Sequence, residues 1–316
     1  MSGFGKTSTT DEVLAGKDLT GKTVFITGGN SGLGQETGRA MAANGAHVIL
    51  AGRDAAKLDE AANIIRTETQ NDNVETIICD LGAIENVKAC GEEASTRFES
   101  IDILINNAGI MATPKGATKD GFESQFGTNH LGHFVLTKAL MPLIENGSDK
   151  RIVNLSSRGH FMSPTLLNDP NFETTTYDPW VSYGSAKTAN ILFSVGLEER
   201  FAKKGIHAYA VHPGGIETNL GRHLTAEQSA ALVSRVTTTD PDFAWKTIPQ
   251  GAATSVWAAT ADELADQGGV YCEDCNVAEI DNESPTSGVR SYALDSGNAD
   301  ALWTMSEQMT GEAFTA

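Results

Sequence analysis

The stretch Thr23-Val-Phe-Ile-Thr-Gly-Gly-Asn-Ser-Gly-Leu-Gly34 joins a short apolar run to a glycine-rich turn. Residues 23–27 carry the β-branched and aromatic side chains that favour a buried strand. After the turn, apolar residues recur with helical spacing over 33–43. The stretch therefore predicts a strand, a tight turn and a helix in direct succession, which is the repeating unit of an α/β sheet.

The glycines of this turn allow the backbone to approach a bound pyrophosphate closely. The pyrophosphate would lie on the N–H groups at the positive end of the following helix. A glycine-rich string is weak evidence alone, and a plain turn is the alternative, but the strand–turn–helix setting favours a nucleotide site. The residues expected to bind the nucleotide here are Gly28, Asn30, Ser31, Gly32, Leu33 and Gly34.

The rest of the chain repeats the alternation of short β-branched runs and longer helical segments. This alternation predicts an α/β fold with seven strands in one doubly wound parallel sheet and helices on both faces. The predicted strands are 23–27, 47–51, 74–79, 101–105, 151–155, 207–211 and 269–272. The predicted helices are 33–43, 55–69, 84–98, 122–144, 181–203 and 250–259.

The composition narrows the classes of partner. The 316 residues could form one large α/β domain or two small ones, and they carry a formal net charge of -18. This charge disfavours binding to nucleic acid or to an anionic membrane surface. No apolar run is long enough to span a bilayer, and residues 1–22 lack the apolar block of a signal peptide. These features predict a cytoplasmic protein with small-molecule partners.

The cysteines and histidines do not form a metal-binding pattern. Four cysteines, at positions 79, 90, 272 and 275, are too few for a disulfide framework in a chain of this length. Cys272 and Cys275 form a CxxC pair, but no second pair or matching histidine pair accompanies it. The histidines at 130, 133, 160 and 212 lack a signature such as HExxH. We therefore predict no metal site.

Two long segments interrupt the alternation. Residues 158–180 are rich in Asn, Asp, Pro and Thr, and residues 217–247 carry only a weak helical pattern at 226–236. Both would leave the carboxyl ends of strands, where open α/β sheets bind ligands, so we assign both to the substrate pocket. The apolar residues that could line it are Phe161, Met162, Leu166, Leu167, Leu220 and Leu224, although each could equally be ordinary packing.

The end of the second predicted strand bears on the choice of cofactor. The sequence there reads Leu50-Ala51-Gly52-Arg53-Asp54. An acidic residue at the strand end binds the ribose 2′-hydroxyl of NAD(H), whereas a nearby arginine suits the 2′-phosphate of NADP(H). Arg53 follows small residues, which favours NADP(H) over NAD(H). Asp54 is the argument for NAD(H), and a solvated loop position is the alternative role for Arg53.

Tyr183-Gly-Ser-Ala-Lys187 places a phenol and an ammonium group one helical turn apart on the same face. A fixed positive charge favours the phenolate and would lower the pKa of the tyrosine. A chance pair of this kind is most often a surface tyrosine and a surface lysine. Its meaning therefore depends on the other motifs of the chain.

Read in chain order, the motifs resemble those of the short-chain dehydrogenase/reductase family from about residue 21 to residue 270. Between the glycine motif and Tyr183, the chain carries Asp80-Leu81, Asn106-Asn107-Ala108-Gly109, Thr128-Asn129-His130-Leu131-Gly132-His133 and Ser156-Ser157. Pro213-Gly214 and Thr218 follow Lys187. The resemblance implies one Rossmann-type domain over 1–316, with an N-terminal extension at 1–20 and a C-terminal extension at 276–316. The C-terminal extension could be a lid, a partner contact or a surface strap.

The resemblance also implies roles. Tyr183 would exchange a proton with the substrate oxygen as hydride moves to or from the nicotinamide, and Ser157, the second serine of its pair, would hydrogen-bond that oxygen. Lys187 would lower the pKa of Tyr183 and hold the nicotinamide ribose, and Asn129 would position a water that links Lys187 to solvent. The further residues implied along the cofactor are Asp80, Leu81, Asn107, Ala108, Gly109, Pro213, Gly214, Ile216 and Thr218.

The chain departs from the family pattern in one respect. Ser157 and Tyr183 stand 26 positions apart, and most members have about half that gap. With Tyr177-Asp178-Pro179-Trp180, the gap resembles the branch of retinol dehydrogenases, WW-domain oxidoreductases and light-dependent protochlorophyllide reductases. The apolar N-terminal anchor common in animal retinol dehydrogenases is missing, which favours a soluble relative.

Together these features predict an NADP(H)-dependent enzyme that interconverts an alcohol and a ketone or aldehyde, with an apolar small molecule as substrate. A carbon–carbon double-bond reductase and a non-catalytic NADP(H)-binding regulator are the alternatives. Many relatives form homodimers through the helices predicted here at 122–144 and 181–203, and the insertion or the tail could block these faces. The sequence leaves the substrate and the direction of reaction open.

Overall fold

The computed structural model describes residues 2–240 and 243–314. Within them, one sheet crosses the molecule, formed by β1 (Thr23–Thr27), β2 (His47–Gly52), β3 (Val74–Ile78), β4 (Ile103–Asn106), β5 (Arg151–Leu155), β6 (His207–His212), β7 (Val270–Glu273) and β8 (Asn276–Val277). The strand order is β3-β2-β1-β4-β5-β6-β7-β8. Parts of the predicted insertion 217–247 and of both extensions lie outside the described residues.

The seven predicted strands are all present, and neighbouring strands among β1–β7 pair in parallel. The prediction of seven strands is nevertheless wrong by one, because β8 pairs antiparallel with β7 through Cys272–Val277 and Glu273–Asn276. The turn between them uses Asp274 and Cys275 at positive φ. A strand of two residues carries no detectable period in the sequence, so pattern reading could not find it.

The helices lie between the strands and after them. They are α1 (Thr10–Leu14), α2 (Gly32–Ala43), α3 (Ala55–Thr69), α4 (Ile84–Arg97), α5 (Ser124–Phe126), α6 (Gly132–Asn146), α7 (Pro179–Phe201), α8 (Ala226–Thr239), α9 (Ile248–Thr260) and α10 (Ser296–Thr310). A π turn, Gly127–Leu131, separates α5 from α6, so the helix predicted over 122–144 is interrupted where Asn129 lies. α1 and α10 were not predicted.

The sheet has a separate apolar core on each face, because successive strand side chains point to opposite sides. Val24 and Ile26 of β1 belong to the core that includes residues of α1, α2, α3 and α9. Phe25, between them, belongs to the core that includes residues of α4, α6 and α7. The strand order reverses between β1 and β4, and the crevice outside the carboxyl ends of these strands is where such sheets bind ligands.

The C-terminal helix α10 adds a layer outside α7. Trp303 of α10 is buried against Phe134 of α6 and against Phe193 and Phe201 of α7. Glu312, just beyond α10, forms ion pairs with Lys88 of α4 and Lys138 of α6. α10 thus covers part of the helical face that forms the dimer contact in many relatives. A homodimer of this chain stays a prediction.

Two kinds of feature are absent from residues 2–240 and 243–314. No helix there combines the length and the hydropathy needed to cross a membrane. The same residues contain no group of three or more His, Cys, Asp or Glu side chains that could hold a metal ion. Cys272 and Cys275 are free and buried, and burial raises the pKa of both thiols.

Candidate active site

One cleft of about 1650 Å³ runs along the carboxyl ends of the strands. It brings together residues from the whole length of the domain, from the glycine turn after β1 to the C-terminal extension. The residues predicted from sequence that line it are Gly28, Asn30, Ser31, Gly32, Leu33, Arg53, Asp80, Leu81, Asn107, Ala108, Gly109, Ser157, Tyr183, Lys187, Pro213, Gly214, Ile216 and Thr218. Among the residues predicted to be catalytic or to bind the cofactor, Gly34 and Asn129 are the two that do not line it.

Tyr183 and Lys187 lie in α7, whose start is fixed by local sequence. Asp178 caps the helix by accepting hydrogen bonds from the backbone N–H groups of Trp180 at 2.8 Å and Val181 at 2.9 Å. Pro179 occupies the first helical position, where its missing N–H costs nothing. Tyr183 therefore sits in the second turn, with its ring centroid 5.7 Å from Lys187 Nζ.

Burial controls the ionisation of both groups. It raises the pKa of Tyr183 to about 12, and a hydrogen bond from Ser157 opposes the rise. It also lowers the pKa of Lys187 to about 8, because the ammonium loses its hydration. We expected Lys187 to lower the pKa of Tyr183. Burial dominates instead, and Lys187 Nζ donates to the backbone carbonyl of Leu155 at 2.8 Å.

The two serines after β5 have different surroundings. The Ser156 hydroxyl is buried and donates to the backbone carbonyl of Lys187 at 2.8 Å. The Ser157 hydroxyl caps the 3₁₀ turn Arg158–Met162 by accepting from the Gly159 N–H at 3.0 Å. Gly159 packs against the Tyr183 ring so closely that a Cβ there would lie 2.7 Å from Tyr183 Cε1. Ser157 is therefore the serine next to the tyrosine.

Asn129 lies behind the cleft wall in the π turn and is fully buried. Its amide forms two hydrogen bonds of 2.9 Å with the backbone of Ile110, accepting from the N–H and donating to the carbonyl. A Cβ on Gly109 would lie 3.3 Å from Asn129 Oδ1 and 3.7 Å from Lys187 Nζ. Asn129 thus fixes residues 109–110 beside Lys187.

The glycine turn has the shape that a bound dinucleotide requires. Gly28 has a φ of +65°, and a Cβ there would lie 3.0 Å from the Asn107 side chain. The Ser31 side chain forms no capping hydrogen bond at the start of α2. Ser31 and Gly32 both line the cleft there. A Cβ on Gly34 would lie 2.4 Å from the Gly28 carbonyl oxygen, so the absence of a side chain at Gly34 allows the close approach of helix and turn.

A group of positive charges lies where the adenosine end of a dinucleotide would bind. Arg53 after β2 and Arg222 from the 3₁₀ turn Asn219–His223 both line the cleft. Burial and the charge of Arg53 lower the pKa of Arg222. In the described part of the chain, neither guanidinium forms an ion pair with a carboxylate. Both guanidinium groups are therefore available to an anionic group in the cleft.

Comparison with known proteins identifies the family of this chain. The family model for short chain dehydrogenases matches residues 22–229. The short-chain dehydrogenase/reductase prx1 of Penicillium roqueforti is 39% identical over 297 residues, which cover 91% of this chain and 84% of that protein. Human retinol dehydrogenase 13 is 37% identical over 296 residues, with 93% and 86% covered. This chain belongs to the short-chain dehydrogenase family.

A solved structure extends the likeness to the extensions. A crystal structure of an uncharacterised protein from Mycobacterium paratuberculosis superposes with a TM-score of 0.74 at 34% identity. The match covers 98% of this chain and 100% of that one. The family match and the retinol dehydrogenase relative show that the protein is an oxidoreductase of the retinol dehydrogenase-like branch, and its Rossmann fold implies a nicotinamide cofactor.

The insertion between Ser157 and Tyr183 contributes less to the cleft of this dehydrogenase than we expected. Its two ends reach the cleft, through Phe161 and Met162 and through Trp180. The middle packs elsewhere: Leu167 contacts the cluster that contains Phe126 and Leu192, and neither Leu166 nor Leu167 lines the cleft. A buried leucine cannot be assigned to a pocket or to a core from its spacing alone, so the sequence did not separate them.

Some cleft residues lie outside every segment that the sequence analysis assigned to the site, and no local motif marks them: Lys57, Pro285 and Arg290. Others lie within the segments 158–180 and 217–247 that were assigned to the substrate pocket, but were not named individually as pocket residues: Arg158, Trp180, Arg222, Leu232, Val236, Phe243 and Trp245. Pro285 and Arg290 belong to the C-terminal extension, whose role the sequence left open. Only the folding of the extension across the edge of the sheet brings them to the cleft.

Proposed function

We propose that the protein is an NADP(H)-dependent oxidoreductase that interconverts an apolar carbonyl compound and its alcohol, with the proton relayed through Tyr183, Lys187, Ser157 and Asn129. The observation that carries this proposal is the convergence of Ser157, Tyr183 and Lys187 in one cleft with the glycine turn. Bound there, the nicotinamide supplies or accepts hydride at its C4 atom.

Tyr183 is suited to donate the proton that the substrate oxygen needs. With a pKa raised to about 12, its phenol is protonated at neutral pH, which matches the reductive direction. Ser157 lies next to it and can donate a second hydrogen bond to the same oxygen, stabilising the negative charge that develops there. The oxidative direction needs the phenolate and should gain from higher pH.

Lys187 and Asn129 support the tyrosine. The pKa of Lys187, lowered to about 8, leaves the ammonium protonated at neutral pH and able to exchange a proton near the physiological range. Asn129 fixes Ile110 and, through it, the wall beside the ammonium. These contacts give Lys187 a constant position next to the place that the nicotinamide ribose would occupy.

Three observations favour NADP(H) over NAD(H). Arg53 and Arg222 supply positive charge without a carboxylate partner among the described residues. Asp54, the residue that argued for NAD(H), caps α3 by accepting from the Lys57 N–H at 3.2 Å. Its carboxylate also lies 3.4 Å from Lys57 Nζ. Asp54 is therefore occupied, and the arginines are the groups available to a 2′-phosphate.

An apolar substrate is favoured by the apolar side chains that line the cleft. Phe161, Met162 and Trp180 come from the segment 158–180 that precedes Tyr183. The segment 217–247 adds Leu220, Leu224, Leu232, Val236, Phe243 and Trp245. Side chains of this kind bind hydrocarbon surface and leave the polar groups near Tyr183 to orient the reacting oxygen. Retinol dehydrogenase 13, a relative named above, is named for an apolar alcohol.

The test of the catalytic proposal is Tyr183→Phe, assayed by NADPH oxidation with a panel of aldehydes and ketones. We expect kcat to fall by about a hundredfold or more, because the proton donor is lost while the ring is kept. Tyr209→Phe is the matched control, since that buried hydroxyl donates to the Leu264 carbonyl at 2.6 Å, away from the cleft. Unchanged turnover in Tyr183→Phe would refute the role. A saturated carbonyl product would instead indicate double-bond reduction.

The cofactor proposal is tested by binding. Arg53→Ala and Arg222→Ala should each weaken NADP(H) binding by about tenfold and leave NAD(H) binding nearly unchanged, because only NADP(H) has the 2′-phosphate. Calorimetry with both cofactors measures this, with Arg97→Ala on α4 as the control. Equal losses for both cofactors would contradict the assignment of the phosphate to these arginines.

A further inference from the structure

The C-terminal extension reaches the back of the turn that carries Ser157. After β8, Val289 pairs with Ile280 in a parallel bridge and is fully buried. The Gly288 N–H donates to Glu273 Oε1 at 2.7 Å, which ties the segment to the end of β7. The residues that follow, 290–292, then lie against the turn Arg158–Met162.

His160 joins the two segments through both of its ring nitrogens. Nδ1 lies 2.8 Å from the Ser157 carbonyl oxygen, and Nε2 lies 3.2 Å from the Arg290 backbone nitrogen. A carbonyl can only accept and a backbone N–H can only donate, so His160 carries its proton on Nδ1 and none on Nε2. The side chain is fully buried, and burial lowers the pKa of His160 to about 4, so it is neutral at physiological pH.

Two further contacts hold the turn from the same side. The Tyr292 hydroxyl donates to the His160 carbonyl at 2.5 Å. The Arg290 guanidinium stacks over the Phe161 ring, 3.7 Å from its centroid. The same guanidinium donates to the backbone carbonyls of Asp281 and Ser284, so the Arg290 side chain also holds the preceding loop in place.

The position of this turn matters because the turn carries two groups of the site. Ser157 provides the hydroxyl next to Tyr183, and Gly159 touches the Tyr183 ring. A shift of about 1 Å in such a contact is enough to misalign reacting groups. Residues more than 120 positions away in the chain therefore lie in direct contact with the element that sets the geometry of Ser157 and Tyr183.

We propose that His160 and the C-terminal segment 288–292 are positioning elements of the active site, which hold the turn 157–162 so that Ser157 and Tyr183 keep their mutual geometry. The inference rests on the proposed function for its kinetic consequence, but its structural part is independent of any substrate. It gives the C-terminal extension a role in the site: the extension supports the turn from behind, and Arg290 supports the pocket residue Phe161.

Substitutions at Arg290 test the structural part by hydrogen exchange of the peptide that covers 157–163. Arg290→Ala removes the stack on Phe161 and keeps the backbone N–H. Arg290→Pro removes both, and the φ of -72° at this residue is one that proline adopts. We expect exchange in the turn to rise in Arg290→Ala and to rise by about a further tenfold in Arg290→Pro. Arg200→Ala is the matched control, because Arg200 stacks 4.3 Å from the Trp303 centroid, away from the turn.

Substitutions at His160 separate the two hydrogen bonds. In His160→Asn the amide nitrogen takes the place of Nδ1 and keeps the bond to Ser157. In His160→Gln the amide oxygen takes the place of Nε2 and keeps the bond to Arg290, and His160→Phe keeps neither. With NADPH and the best carbonyl of the panel, we expect kcat to fall by about fivefold when one bond is lost and further in His160→Phe, with the Kd for NADPH unchanged.

The outcomes distinguish this inference from the proposed function. If the wild-type protein turns over no carbonyl, the proposed function fails, and hydrogen exchange in 157–163 still tests the contacts. Exchange in 157–163 that is the same in the wild type, Arg290→Ala and Arg290→Pro would overturn the positioning role. So would kcat values in the three His160 variants that equal that of the wild type. A lowered melting temperature with unchanged exchange and kcat would show a purely structural contact.

Discussion

Lys187 is buried as a cation beside Tyr183, which makes it costly to the folded state at neutral pH. Burial lowers its pKa from 10.5 to about 8, so between these values the unfolded chain binds a proton that the folded protein has released. By linkage, the destabilisation caused by this group is fully present below pH 8 and is relieved as pH increases from 8 to 10.5. The lysine proposed for the proton relay is thus held at the expense of stability.

Lys187→Met tests this at the residue scale. Relative to the variant, the wild type should gain unfolding free energy between pH 8 and 10.5, by about 3 kcal/mol if the whole shift is realised. Urea denaturation at a series of pH values measures the difference, and Lys204→Met on the surface is the control. Parallel stability curves for the wild type and Lys187→Met would show that the ammonium is not destabilised by burial.

At the scale of elements, α8 is bound to the rest of the molecule by only one face. None of its residues is buried, and the least exposed, Ser229, Leu232 and Val236, recur at helical spacing and line the cleft. A bridge between Ile216 and Lys246 joins the two ends of the segment. The helix therefore covers the cleft without belonging to either core of the sheet.

This arrangement predicts that α8 contributes to substrate binding and little to stability. Leu232→Asn and Val236→Asn should each raise KM for an apolar carbonyl by about tenfold, because apolar contact with the substrate is lost. The melting temperature should stay within a few degrees of the wild type. Ala231→Asn, on the exposed face of the same helix, is the matched control for both measurements. A large fall in melting temperature with unchanged KM would mean that the face is structural.

At the scale of the whole molecule, the C-terminal extension belongs to the core as well as to the site. Trp303 is 5% exposed and packs on Phe134, Phe193, Phe201 and Phe314. Trp303→Ala should lower the unfolding free energy by about 3–5 kcal/mol, since a large buried ring leaves a cavity. Trp245→Ala, at a residue that is 40% exposed, should cost less than about 1 kcal/mol. Equal losses in urea denaturation would place Trp303 outside the core.

The sequence predicted much of the fold because the signals are local. β1 to β7 and the helices between them each carry a period that a short window of residues reveals. The exceptions have physical reasons. β8 is too short to show a period, and α10 follows a polar loop, so neither belonged to a recognisable strand–helix unit. The π turn at Gly127–Leu131 changes the helix by one residue without changing its apolar pattern.

The candidate site divides in the same way. Tyr183, Lys187, Ser157 and the glycine turn were found from spacing and from the order of motifs, because the residues that must meet at the strand ends each follow a strand or open a helix. Arg222 and Arg290 were not named from the sequence, and His160 was interpreted as a packing or loop residue. Their partners are distant in sequence, and whether a histidine packs, binds or positions depends on the atoms that its two nitrogens meet.

The sequence by itself determined the alternation of strands and helices, the dinucleotide turn and the residues that the family's motifs place at the reacting centre. Only the tertiary structure decided that the Ser156 hydroxyl is bound to the Lys187 carbonyl, how far burial shifts the pKa values of Tyr183 and Lys187, and that the C-terminal extension lies against the turn of Ser157. The reason is physical: periodicity and turn chemistry act between neighbours in the chain, whereas desolvation and contact geometry depend on everything that surrounds a group after folding.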